Sequence, residues 1–486
     1  MGFKADLSFL EKVTMGATAT RAALAFLTAR GFSPVELERY STSNKIWSTK
    51  VKRLRLPDIL CVRTGMRVEV RGKSDLKIKM SDSPSNPDRT WDAGLRDEDL
   101  VALVACAQAG GEVRVLGTPV FLGVGAMRAS VGTSTLGPPK SASEGAERDR
   151  TWPSVVPSAD GEVSEVDGDR IRVVMNGRRQ TYSLSRVPRK FAYVRPGDRF
   201  VGEASIIAGT VPTLADLTPY QTRVWNPLDD LDAARANDRY AAAKALGARP
   251  DVREGRAALE RRVQVEEDDR TALEVVAALA RLGSDDGLER LKQAVVSPPE
   301  SAPDYLRMEA VLILTELKSA GAAQVLAEVA TAPQFMGNEL RQAAVWGLGK
   351  LGCKSYDRLT RFLGDEEDDV TMHAIAAFGP DTDRRVVDQL VGVLVGDLDE
   401  RSKASASEAL RLIGSEHVVA ALAAAASQPW VLATLGRLPA AKLNAVRLAP
   451  EITVALSPIH KLSEETNWLA RRLTATDFQF LIQQNL

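Results

Sequence analysis

From about Ala234 to its C-terminus the sequence repeats itself, and this periodicity limits the possible folds more than any other feature. Leu246-Gly247, Leu282-Gly283, Leu317, Leu351-Gly352, Phe378-Gly379 and Ile413-Gly414 recur at spacings of 36, 35, 34, 27 and 35 residues. Each closes an Ala-, Leu- and Val-rich stretch of helical periodicity and precedes another, as in residues 271–282 followed by 286–295. Several units open on an acid and then an arginine, as in Asp269-Arg270 and Glu339-Leu340-Arg341. A single helix pair cannot bury its apolar face, whereas stacked pairs share one continuous core, so this stretch is expected to form an α-solenoid.

The pattern closely resembles HEAT-type helical repeats over residues 234–486. The resemblance implies a protein partner held along a concave surface. Acidic runs stand at repeat starts, Glu266-Glu267-Asp268-Asp269 and Asp365-Glu366-Glu367-Asp368-Asp369. They read first as solvated caps at helix N-termini. The alternative is a surface that repels nucleic acid and selects a basic protein.

The N-terminal part carries a different signal. Residues 6–30 form an amphipathic pattern closed by Gly31, and short strand-like runs follow around residues 35–38, 54–62 and 68–73. On a strand, Glu69, Arg71 and Lys73 share one face while Val68 and Val70 take the other. Asp58, after Pro57, lies on the preceding run. Two carboxylates close together suit Mg²⁺ or Mn²⁺, because such hard cations take oxygen ligands and keep several waters. A nearby lysine can orient the attacking water and offset charge on a phosphate.

Helix, three strands and the Pro57-Asp58…Glu69-Val70-Arg71-Gly72-Lys73 motif together resemble the PD-(D/E)xK nucleases, of restriction-endonuclease-like α/β fold. The resemblance covers under a fifth of the chain. It implies metal-dependent phosphodiester hydrolysis, with Asp58 and Glu69 as metal ligands. The place of the family's lysine is held by Arg71, which cannot act as a base. Lys73, two residues on and on the same face, is expected to take the lysine's role, with Arg71 stabilising phosphate charge. The resemblance also implies a helix and a further strand after Lys73. Residues 97–109 read either as that helix or as a buried strand, and 113–124 as a strand region broken near Gly117. A prokaryotic restriction or phage-defence setting is implied by the same resemblance, as is pairing into a homo-oligomer to cut two strands.

Charge separates along the chain. Residues 1–150 hold 23 Lys+Arg against 17 Asp+Glu, whereas residues 226–486 hold 30 against 39. Between Tyr40 and Met80 there are 11 basic residues and only three acids, two of them Asp58 and Glu69. A basic field around isolated carboxylates suits a polyanion, DNA before RNA. Lys45, Lys50, Lys52, Arg53 and Arg55 are the expected phosphate contacts, with Trp47 and Tyr40 available for stacking.

The expected organisation is therefore a nuclease-like α/β domain (1–131), a Gly-, Ser- and Pro-rich linker (132–157), a small β-barrel (158–215) and the α-solenoid (234–486). Asn176-Gly177 marks a hairpin within the barrel, whose type is SH3-like or lipoyl-like. That turn offers no lysine for a carrier function. Gly65 and Gly72-Lys73-Ser74 do not make a phosphate loop, because six residues separate the glycines and a strand pattern follows. The scattered Cys61, Cys106 and Cys353, with His373, His417 and His460, lack zinc-ligand spacing. No apolar run is long enough to span a membrane, and a reducing cytoplasm is the expected compartment.

Overall fold

The computed structural model describes residues 7–37, 54–84, 89–109, 112–137, 146–352 and 355–444, with a few further positions that include Trp47 and Thr49. It combines an N-terminal β-rich region with a C-terminal helical-repeat region. The chain divides into two compact units, one running through Ser8–Thr42 and Lys52–Leu282, the other holding residues from Gly283 onward together with the segment Ser43–Val51.

In the first unit, helix α1 (Leu7–Ala29) ends where Gly31 takes a φ of +84°, and the Phe32 N–H closes the turn by donating to the Leu27 carbonyl. A mixed sheet follows: β1 (Pro34–Glu36), β2 (Ile59–Cys61), β3 (Met66–Lys73), β5 (Leu100–Ala109), with β6 (Glu112–Val115) and β7 (Val120–Gly123) both pairing β5. β3 and β5 run parallel and every other pair is antiparallel. Ala19, Ala23 and Leu27 of α1 bury completely against Val68, Leu100, Ala102 and Val104. The small side chains let the helix come close. A Cβ on Gly72 would lie 2.9 Å from the Met15 carbonyl oxygen, so β3 needs a glycine beneath α1.

The alternation expected for β3 holds: Val68 and Val70 face α1, and the charged residues take the opposite face. β5 is a strand, not a helix. Its near-continuous apolar run is buried on both sides, with Leu100, Ala102 and Val104 toward α1 and Val101, Leu103 and Ala105 in a second core. Among the described residues no α-helix lies between β3 and β5, which departs from the order that the nuclease resemblance implies.

Instead the chain forms β4 (Ile78–Asp82), an edge strand of a second sheet. Residues 132–157, expected as a linker, contribute to it: β8 (Thr133–Gly137) pairs β9 (Glu147–Trp152), which pairs β4. Burial of Trp152 against Trp91, with ring centroids 5.1 Å apart, and of Asp82 beneath Arg148 and Arg150 explains why β8 and β9 form within this Gly- and Ser-rich stretch.

The barrel region holds two small sheets around one core of Val163, Ile171, Val173, Met175, Phe200 and Ile207. β12 (Arg170–Met175) and β13 (Arg178–Ser183) are joined by Asn176-Gly177, both at positive φ, the two-residue turn that matches strand twist.

The unit ends in three repeat helices, Ala236–Gly247, Gly255–Arg262 and Asp269–Arg281. The first lies on the sheet. Tyr240, Ala241 and Ala245 pack against Leu37, Leu56, Leu60 and Val62, and Tyr240 is fully buried. This contact groups the first repeats with the sheet.

In the second unit helices alternate from Asp285–Val296 to Pro429–Gly436. The recurring Leu/Ile-Gly sites are helix C-termini: Leu317 ends Asp304–Leu317, and Gly414, at a φ of +52°, caps Glu400–Ile413. The short 27-residue interval has a physical cause, since the second helix of that repeat shrinks to Tyr356–Leu359 and a 3-10 turn, Thr360–Phe362.

The acid-then-arginine step serves the stack. Arg307 donates to the Val295 carbonyl at 3.1 Å and Arg341 to the Ala330 carbonyl at 2.9 Å, each satisfying the last turn of the preceding helix. The acidic runs are therefore used internally more than they are solvated. Asp268 caps its helix through the Thr271 N–H, Asp365 and Glu367 hold Arg341, and the Glu266 side chain is fully buried between Arg239 and Arg262. Burial by itself would raise the Glu266 carboxyl, but hydrogen bonds from Arg239, the Asp268 N–H and Arg262 outweigh it and bring it down to about 2. Its stabilising contribution is thus present above the ordinary carboxylate range and lost as pH falls through about 2. Urea midpoints should fall between pH about 4 and about 2 in the native chain, and Glu266→Gln should flatten that part of the profile while lowering the midpoint at pH 7.

Candidate functional site

The β2–β3 pairing decides where the motif residues meet. Ile59 stands opposite Val68, so Asp58, just before β2, comes level with Glu69. The Asp58 Oδ2 accepts the Val70 N–H at 2.7 Å, which ties its carboxylate to the β3 backbone. Glu69 is 14 % exposed and pairs with Arg71, Nη2 to Oε1 at 2.7 Å. Lys73 donates from Nζ to the Lys79 carbonyl at 2.5 Å. Asp58, Glu69 and Arg71 are thus brought together, Lys73 lies further along the strand against Lys79, and each has an intramolecular contact.

Lys73 is the unusual group. Burial, followed by the charges of Arg71 and Lys79, lowers its amine to about 8, against the opposing pull of Asp149 and Asp75. Reductive ¹³C-methylation followed by NMR should show Lys73 titrating near pH 8, and Arg71→Met, by removing the nearest like charge, should move that titration upward. An unshifted value in the variant would mean that burial and Lys79 lower it without Arg71.

The donor chemistry at this spot suits a hard cation in kind, since two carboxylates and water are enough for Mg²⁺. The arrangement is less suited, because the Arg71 guanidinium already sits on a Glu69 oxygen. A divalent ion between Asp58 and Glu69 requires Arg71 to move away. No group of three or more His, Cys, Asp or Glu side chains that could hold a metal occurs among the described residues.

The expected nucleic-acid contacts are only partly on view. Lys45, Lys50, Lys52 and Arg53, with Tyr40, lie outside the described residues. Arg55 is half-buried, and its carbonyl accepts from Asn237. Trp47 is corrected: it is 1 % exposed, so its ring is not available to stack on bases. It packs edge-on against Trp346, centroids 6.0 Å apart, and against His373 at 5.4 Å. The Thr49 N–H donates to Glu339 Oε2 at 2.8 Å, fixing the same short segment at the start of Glu339–Lys350.

Sequence reasoning missed a second cluster beside the motif. Arg67, on the same strand face as Glu69, is 2 % exposed and makes a two-pronged contact with Asp99 and a 2.7 Å contact with Asp238 on the first repeat helix. Arg96 also reaches Asp238, Nη2 to Oδ1 at 2.7 Å. An arginine between Met66 and Val68, at the start of β3, was the available signal.

Residues 299–379 match a family model described as HEAT repeats. A search of curated proteins found no match. Among solved structures, the chain is similar to the complex of CpcE and CpcF of phycocyanin lyase from Nostoc sp. PCC7120, at 21% identity over 50% of this chain and 95% of that one, with a TM-score of 0.25. It is similar to an engineered protein at 16% identity, over 50% of this chain and 95% of the other, with a TM-score of 0.21. Human deoxyhypusine hydroxylase in complex with glycerol is matched at 18% identity, over 50% of this chain and 83% of the other, with a TM-score of 0.19. Among the described residues no helix is long and apolar enough to cross a membrane.

Proposed function

We propose that this chain is a HEAT-repeat scaffold that holds a protein partner on its helical stack. The observation that carries the reading is the run of stacked helix pairs through residues 299–379, the stretch that matches HEAT repeats. Quasi-one-dimensional stacks of this kind present long surfaces without needing a catalytic pocket. The engagement of the motif residues supports the same reading, because Asp58 and Lys73 tie β3 to neighbouring segments and Glu69 is paired with Arg71.

Cross-linking of the full chain in its host, read by mass spectrometry, tests the proposal. Partner cross-links should fall on solenoid lysines such as Lys292, Lys318 and Lys403. Partner cross-links confined to the N-terminal sheet would overturn it.

A second reading, metal-dependent hydrolysis of nucleic acid, is favoured by one observation: Asp58 and Glu69 stand level across two strands, and further along the same strand lies Lys73, its amine lowered to about 8. Mg²⁺ or Mn²⁺ held there would polarise a phosphate oxygen. Lys73 would hold or release a proton near neutral pH, and Arg71, once off Glu69, would face the phosphate. A panel of DNA and RNA incubated with either metal should remain intact under the scaffold reading. Cleavage that disappears in both Asp58→Ala and Glu69→Ala, with the fold retained, would establish the nuclease in its place.

A further inference from the structure

The segment Ser43–Val51 belongs to the solenoid's compact unit, although the chain on either side of it belongs to the other unit. Its Trp47 is nearly as buried as any side chain in the molecule, yet it comes from outside the repeats. The seat is built by two successive repeats: Trp346 from Glu339–Lys350 and His373 from Asp368–Ala376 flank the indole. Lys350 lies over Trp346, its Nζ 5.8 Å from the ring centroid, and Glu339 accepts the Thr49 N–H. An aromatic anchor buried beside a backbone contact to a carboxylate is how helical surfaces grip extended peptides. The segment carries Lys45 and Lys50 and no acid, while the solenoid part of the chain is acidic overall.

We propose that the Trp346–His373–Glu339 seat is a docking site for a basic, tryptophan-bearing peptide, and that the chain's own Trp47 and Thr49 occupy it in cis. The inference deepens the scaffold reading and rests on it. A partner presenting the same chemistry competes with Trp47, so binding and release of the N-terminal segment are coupled.

The test uses the full chain and a fluorescein-labelled peptide of residues 43–51. The peptide should bind the Trp47→Ala protein at least about ten-fold more tightly than the native protein, because the seat is vacated. A peptide with alanine in place of its tryptophan should lose about as much, and Trp346→Ala added to Trp47→Ala should abolish binding. Equal affinity for the native and Trp47→Ala proteins, or binding to neither, would overturn the proposal. Should Trp47→Ala fail to fold, hydrogen exchange on the native chain gives the answer. Excess peptide should deprotect the Thr49 amide, and unchanged protection would count against the site. Failure here with partner cross-links still on the solenoid would remove the docking site and leave the scaffold standing. Loss of those cross-links alone would do the reverse.

Discussion

Asp238→Ala is expected to destabilise the unit that carries the sheet by about 3–5 kcal/mol, the cost typical of removing one partner from a buried ion pair. Arg67 is almost fully buried on β3, and its guanidinium is shared between Asp99 and Asp238. With Asp238 gone, the buried Arg67 Nη1 loses its acceptor, and Arg96 loses its 2.7 Å contact as well. Urea unfolding followed by far-ultraviolet dichroism would measure the loss, with the transition of the first unit moving and that of the second staying in place. Replacing all three members together, Arg67→Met with Asp99→Leu and Asp238→Leu, should cost much less than Asp238→Ala, since no charge is left stranded. If the single and triple variants are equally unstable, packing of the Ala236–Gly247 helix, and not the ion pairs, sets the stability of this junction.

Arg341→Ala should be comparably damaging, about 3–5 kcal/mol, within the solenoid. This side chain, 4 % exposed, donates to the Ala330 carbonyl and pairs with Asp365 and Glu367. Its removal leaves a helix C-terminus unsatisfied and two carboxylates without their cation. Arg341→Lys should recover little, because a point charge cannot reach the carbonyl and both carboxylates as a planar fork does. Repeat stability is close to a sum of nearest-neighbour terms, so hydrogen exchange should rise first in Ala320–Thr331, Glu339–Lys350 and Asp368–Ala376 and spread outward from there. A uniform rise across all repeats would show instead that the solenoid unfolds as one block.

Much of the architecture was legible because it rests on local periodicity. The repeat ends at Leu317 and Ile413 coincide with helix C-termini, the alternation of Val68 and Val70 against Glu69, Arg71 and Lys73 is that of β3, and Asn176-Gly177 closes the β12–β13 hairpin. The placement of the motif residues was readable to the extent that strand register is regular. Their partners were not. Arg71 on Glu69 and the Val70 N–H on Asp58 depend on rotamers and on a pairing between strands separated by a turn.

Other features escaped the sequence for a common reason. β5 looks the same as a buried helix in its run of apolar residues, and only the sheet beside it, covered on both faces, decides for a strand. Residues 132–157 have linker composition, yet β4 supplies the hydrogen-bonding edge that orders β8 and β9. Trp47 among lysines suggested a nucleic-acid contact, whereas nearly three hundred residues later Trp346 and His373 provide a place to bury it.

The sequence by itself determined that the C-terminal part is built of repeated helices, where several of those helices end, and which side of β3 is charged, because these follow from the 3.6- and 2-residue periods of a single chain segment. Only the tertiary structure decided that Arg67 meets Asp238, that Trp47 lies in the solenoid and that the acidic runs bind arginines. Those contacts join residues far apart in the chain, and their free energy comes from burial and charge pairing that exist only once the elements have packed.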